Sequence, residues 1–114
     1  MQSLQQKLVS MRRAERKEVK WGATAKIGDL FIYGTVRDYS VYGVFFEPEM
    51  ATDGGEFYHN DDALDQLSSD DIVTITVDHG IVFESRIKWM GKQFNHDCYG
   101  CGCEFERVYV DESL

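Results

Sequence analysis

The fold class expected of this chain is all-β, a six-stranded antiparallel β-barrel. Three observations predict it: short runs in which apolar and polar residues alternate at a period of two, Gly/Asp turns between those runs, and no long helical repeat separating them. Closure into a barrel is favoured over an open sheet because it removes exposed strand edges from a small domain. At 114 residues the chain accommodates one domain with a single modest core.

The elements follow in order. Residues 1–19 read as an N-terminal arm, in which Leu4, Leu8 and Met11 have helical spacing. A helix that short is marginal unless it packs on something. The barrel is expected over residues 20–110, beginning with a strand at 20–27. In the next run Leu30, Ile32, Gly34 and Val36 alternate with Phe31, Tyr33, Thr35 and Arg37, giving a strand with two distinct faces. A third strand, at 42–47, is rich in β-branched and aromatic residues. Residues 50–71 are polar and carry Gly54-Gly55; the acids at Asp61 and Asp62 suit a helix N-terminus, so this connection is read as a loop holding one short helix over 61–67. The clearest hairpin comes next: Val73, Ile75 and Val77 alternate with polar residues, Asp78-His79-Gly80 forms the turn, and Ile81, Phe83, Ile87 and Trp89 alternate with Val82, Glu84, Arg86 and Lys88. A last strand is expected at 102–110, followed by a short tail at 111–114.

Charge is distributed unevenly. Residues 1–26 hold seven Lys/Arg against two acids, a surplus of +5, so the other 88 residues carry −13 of the net −8. A basic arm on an acidic body can fold back on that body or collect an anion. The acidic body argues against a nucleic-acid polymer as partner, since phosphate binding needs a basic face on the folded domain. No apolar run approaches the roughly eighteen residues of a membrane span, and no apolar stretch precedes a cleavage site near the N-terminus, so neither membrane insertion nor secretion is expected. Three cysteines, an odd number, fit a reducing cytoplasm better than a disulfide framework.

Two polar clusters carry the chemistry. In Arg12-Arg13-Ala14-Glu15-Arg16, three planar donor forks lie within five residues, suited to phosphate or to the O6 and N7 acceptors of guanine. The plain alternative is a solvated basic tail. In Asp38-Tyr39-Ser40-Val41-Tyr42-Gly43, Asp38 and Ser40 follow a strand and are suited to bracing a turn, but an acid there also accepts from guanine N1 and N2, and Gly43 permits close backbone approach. Together they suggest a receptor for a small, doubly charged, guanine-bearing ligand.

The pair Arg12-x-x-x-Arg16 and Asp38-x-Ser40-x-x-Gly43 resembles the double signature of the PilZ domain, a bacterial receptor module for cyclic di-GMP. Arg86-Ile87-Lys88-Trp89 and Gly102-Cys103-Glu104-Phe105 resemble that family's closing strands, so the likeness covers residues 11–110, with 50–71 least matched. The resemblance implies a six-stranded barrel with a flexible N-terminal arm that closes over the ligand. It implies that Arg12, Arg13 and Arg16 bind phosphates and guanine edges, that Asp38 and Ser40 contact a guanine from the barrel surface, and that Gly43 gives the backbone room to approach. Trp89 has two open roles, stacking on a base or facing the core in its strand's alternation. The expected mechanism is binding rather than catalysis, with no cofactor: an arm that orders on the ligand changes the surface shown to a separate effector protein in motility, exopolysaccharide export or transcription. Whether one or two ligands bind is left open by Met11 before the Arg motif, and the short tail leaves dimerisation open.

Two rival readings remain. Cys98, Cys101 and Cys103 with His96 and Asp97 offer ligands for zinc, although Cys103 falls within the last strand pattern and zinc modules normally use two separated ligand pairs. A PilZ-like barrel that has lost its ligand and serves only as an interaction module is the other. An enzyme is not expected: His59, His79 and His96 lie in presumed loops or turns, and no Ser or Cys has a nucleophile context.

Overall fold

The computed structural model describes residues 15–53, 57–78, 80–92 and 99–111. Its elements are β1 (Lys17–Ile27), β2 (Leu30–Tyr39), β3 (Gly43–Thr52), β4 (Phe57–His59), α1 (Asn60–Leu64), β5 (Ile72–Val77), β6 (Ile81–Lys92) and β7 (Tyr99–Val110). All six expected strands are present. They form one antiparallel sheet in the order β2-β1-β5-β6-β7-β3, and β2 also pairs with β3, which closes the ring into a six-stranded barrel. The expected fold class is therefore the one the chain adopts.

Several elements run longer than their sequence patterns. β1 begins at Lys17, inside the segment read as an arm, because Lys17 and Glu18 pair with Tyr39 and Asp38 at the far end of β2. The three-residue β4 was not foreseen. It occupies the edge of β3 that β7 leaves vacant: β7 pairs with β3 from Gly43 to Phe46, and β4 takes over from Met50 to Thr52. Pro48, which has no N–H to donate, lies between those two ladders. His59 consequently ends a strand rather than lying in a loop. The expected helix in the 50–71 connection is the single turn of α1, and Ala63 and Leu67 tuck from it and the following turn into the core. The helix expected in the first dozen residues lies outside the described residues.

Alternation builds the core. Val73, Ile75 and Val77 of β5, Ile32 and Val36 of β2, Val44 and Phe46 of β3, and Phe83 and Ile87 of β6 fill the barrel. Burying each such side chain contributes roughly 1.5–3 kcal/mol. The β5–β6 hairpin turns as expected, with Gly80 at φ +88° and its N–H donated to the Val77 carbonyl at 2.8 Å. Among the described residues, no helix is long and apolar enough to cross a membrane.

Among the described residues, one buried side-chain group is unsatisfied. The Ser85 hydroxyl is fully buried between Phe83 and Ile87 along β6 and has no hydrogen-bond partner among them. Leaving a hydroxyl without a partner in an apolar core is unfavourable by about 1–3 kcal/mol. Ser85→Ala is therefore expected to raise the free energy of unfolding in urea by about 0.5–2 kcal/mol. A comparable loss of stability would mean that the hydroxyl has a partner after all.

Candidate functional site

The buried face of β2, formed by Ile32, Gly34 and Val36, continues through Asp38 to Ser40 just beyond the strand. Two polar side chains thereby extend a buried apolar series at one end of the barrel. Asp38 is only 2% exposed and Ser40 5%. A carboxylate in that position needs a counter-charge, and Arg16, just ahead of β1, supplies it. Its Nε donates to Asp38 Oδ1 at 2.6 Å, its Nη2 forms an ion pair with the same oxygen, and Nη1 lies 3.5 Å from the Ser40 hydroxyl. The two sequence motifs, 22 residues apart at this contact, therefore meet through side chains.

Ser40 also braces its own turn. Its N–H donates to the Gly43 carbonyl at 2.9 Å, and its Oγ accepts from the Tyr42 N–H at 3.1 Å. The next residue, Gly43, opens β3 directly against β7. A Cβ on residue 43 would run into the Cys103 carbonyl, so glycine here permits close approach of two strands. The turn thus has a structural reason for each of its signature residues, alongside whatever they do for a ligand.

Trp89 is neither in the core nor aligned with Ile87. The ladder between β6 and β7 is irregular between Ile87, which pairs with Cys103, and Trp89, which pairs with Gly102, leaving Lys88 as an extra residue. Such a bulge breaks the alternation and re-aims side chains. Ile87 stays fully buried while Trp89 is 42% exposed. One face of the indole stacks on Phe45, with ring centroids 5.5 Å apart and planes 22° from parallel. Phe45 is the outward residue between the inward Val44 and Phe46, and Trp89 helps to cover it. The indole also lies across Gly102, where a Cβ would collide with Nε1.

The space between these features is an open groove of about 630 Å³. That is within the range of roughly 300–1,000 Å³ usual for small-molecule sites. Its walls include Arg16, Tyr42, Lys88, Trp89, Gly102 and Glu104. The structure therefore brings Arg16, Gly43 and Trp89 to one groove, with Asp38 and Ser40 behind Arg16 rather than on its wall. Arg12 and Arg13 lie outside the described residues. Lys88 and Glu104 were not singled out from the sequence, and only the bulge and the cross-strand register give them their place. In the acidic body Arg37, Arg86 and Arg107 pair with Glu47, Glu106 and Glu84, whereas Lys88 has no acidic partner among the described residues.

The thiols take another course. Cys101 and Cys103 are buried in the core cluster, their sulfurs 3.7 Å apart, with Cys101 Sγ directed at the Phe46 carbonyl. The adjacent Cys101 thiol, together with burial, pushes the Cys103 thiol well above its ordinary value. A protonated, enclosed thiol is a poor metal ligand and a poor nucleophile. Cys98, His96 and Asp97 lie outside the described residues, and among the described residues no three metal-binding side chains cluster. Compared with the known protein families and with the curated proteins, the chain finds no match.

Because folding holds the Cys103 proton, the associated stability is present below the ordinary thiol range and is lost as pH rises through the raised folded value. Urea titrations are expected to show an alkaline fall in stability that is smaller in Cys103→Ala. In a Cys98→Ser background, Ellman's reagent should modify Cys101 and Cys103 only as the protein unfolds. Rapid modification of both in the folded protein would contradict their burial.

Proposed function

We propose that this protein is a bacterial, cytoplasmic receptor for cyclic di-GMP, a PilZ-like barrel that reports the second messenger to an effector protein. The observation that carries this reading is the contact of Arg16 with Asp38 and Ser40 at a groove walled by Trp89, which unites both halves of the signature at one place. A guanidinium has five N–H donors in a planar fork, so Arg16 can hold Asp38 and still present N–H groups to a phosphate. Lys88, at the bulge, supplies a second cation on the groove wall, and a ligand with two phosphates has use for both.

In this reading Arg12 and Arg13 join Arg16 at the phosphates and Hoogsteen edges, Asp38 and Ser40 orient Arg16 toward the guanine nearest it, and the exposed part of Trp89 stacks on a base. No bond is made or broken. Binding rearranges the N-terminal segment against the groove and alters the face shown to a protein of the motility, exopolysaccharide or transcription machinery. The acidic body makes the groove's local positive charge all the more necessary, and salt should weaken binding.

Calorimetric titration tests this directly. The wild type should bind cyclic di-GMP in low-salt buffer, and Arg16→Ala or Asp38→Ala should weaken binding by about 1–3 kcal/mol each. Undetectable binding by the folded wild type sinks the receptor reading. Wild-type affinity in both variants would move the site away from this groove.

A further inference from the structure

We infer that Glu104 is a guanine-reading residue of the groove, accepting the N1–H and N2–H groups of the base that stacks on Trp89. The inference rests on the cyclic di-GMP reading and adds to it a residue outside the two sequence motifs. Three observations carry it.

The first is position. Glu104 lies on the groove wall with Trp89 and Gly102, and in the ladders it stands opposite both Gly43 and Arg86. It is the one carboxylate among the groove's described lining residues; Asp38 is 2% exposed and turned to Arg16 behind that wall.

The second is availability. Cross-strand arginine and glutamate normally pair, yet Arg86 directs its Nε to Glu106 Oε1 at 2.9 Å and its Nη1 to the Asp70 carbonyl at 3.2 Å. No other cation among the described residues pairs with Glu104. Its carboxylate is left as an acceptor facing solvent on the wall of a groove.

The third is chemical fit. A carboxylate accepts two parallel N–H bonds, the pattern guanine presents at N1 and N2. Adenine places an acceptor at N1 and carries no amine at C2, so the same carboxylate faces a lone pair and repels it. A ligand with two guanines then has one base beside Arg16, which Asp38 and Ser40 hold from behind, and the other on Trp89 against Glu104. Discrimination between purines at the Trp89 subsite is assigned to a single side chain.

The test compares cyclic di-GMP with cyclic di-AMP on the wild type, Glu104→Gln and Glu104→Ala, by calorimetry on the full chain. Glu104 is exposed, so both variants should keep the wild-type urea midpoint. Glu104→Ala should weaken cyclic di-GMP binding about tenfold to a hundredfold. Glu104→Gln should lose a similar factor for cyclic di-GMP and gain for cyclic di-AMP, because an amide both donates to adenine N1 and accepts from N6. If the wild type binds and both variants retain its affinity and purine preference, the assignment of Glu104 is overturned while the receptor reading stands. If the folded wild type does not bind cyclic di-GMP at all, both fall.

Discussion

The barrel closes through β2, which pairs with β1 on one edge and β3 on the other, and the rest of the architecture depends on that double engagement. Neither ladder is regular along its length. β1 gains one residue against β2 between Glu18 and Trp21, β2 gains one against β3 between Val36 and Asp38, and β3 gains one against β2 opposite Tyr33 and Gly34. Bulges increase local twist and bend a strand, as a sheet of only six strands requires in order to meet itself. The first two fall at the end of β2 that delivers Asp38 and Ser40. The site therefore sits at the end of the barrel where two irregularities of β2's ladders fall together.

The electrostatic arrangement follows from how β2 ends. An inward face that is apolar at Ile32 and Val36 ends in a carboxylate, and a buried carboxylate is unfavourable without a partner. Arg16 satisfies it from the chain immediately before β1. The same side chain then lies on the groove wall, so the residue that neutralises the barrel's end also presents N–H donors to the groove. Elsewhere on the wall a bulge in β6 turns Lys88 and Trp89 outward, and Phe45 and Gly102 give the indole a floor. Departures from regular pairing thus accompany both the Arg16 and the Trp89 parts of one groove.

The sequence was most legible where burial is periodic. Val73-Thr74-Ile75-Thr76-Val77 and Leu30 to Val36 announce strands because alternating residues must face opposite media, and the six-stranded barrel follows from counting such runs. Legibility failed at bulges, which leave no mark in composition. Strict alternation aligns Trp89 with Ile87, and one inserted residue sends the first outward and leaves the second in the core. Lys88 and Glu104 escaped notice for the same reason: each is an ordinary charged strand residue until cross-strand register gives it neighbours. β4 was missed because three residues are too few to show a period, and its existence depends on a vacant edge of β3. The motif pair was legible as spacing, but that Asp38 is buried behind Arg16 could be seen only once the inward series of β2 was in place.

The central claim is that Arg16 and Asp38 act as one unit, joining the end of the basic segment to the barrel. A double-mutant cycle in urea unfolding, with Arg16→Ala, Asp38→Ala and the double variant, measures that unit directly. The Asp38 side chain is 3% exposed and that of Arg16 38%, so solvent screening reduces the coupling below that of a fully enclosed pair. An interaction energy of about 1–2 kcal/mol is predicted, with each single change destabilising and the second adding little to the first. Additive effects, with a coupling near zero, would show that the two motifs are neighbours without being joined.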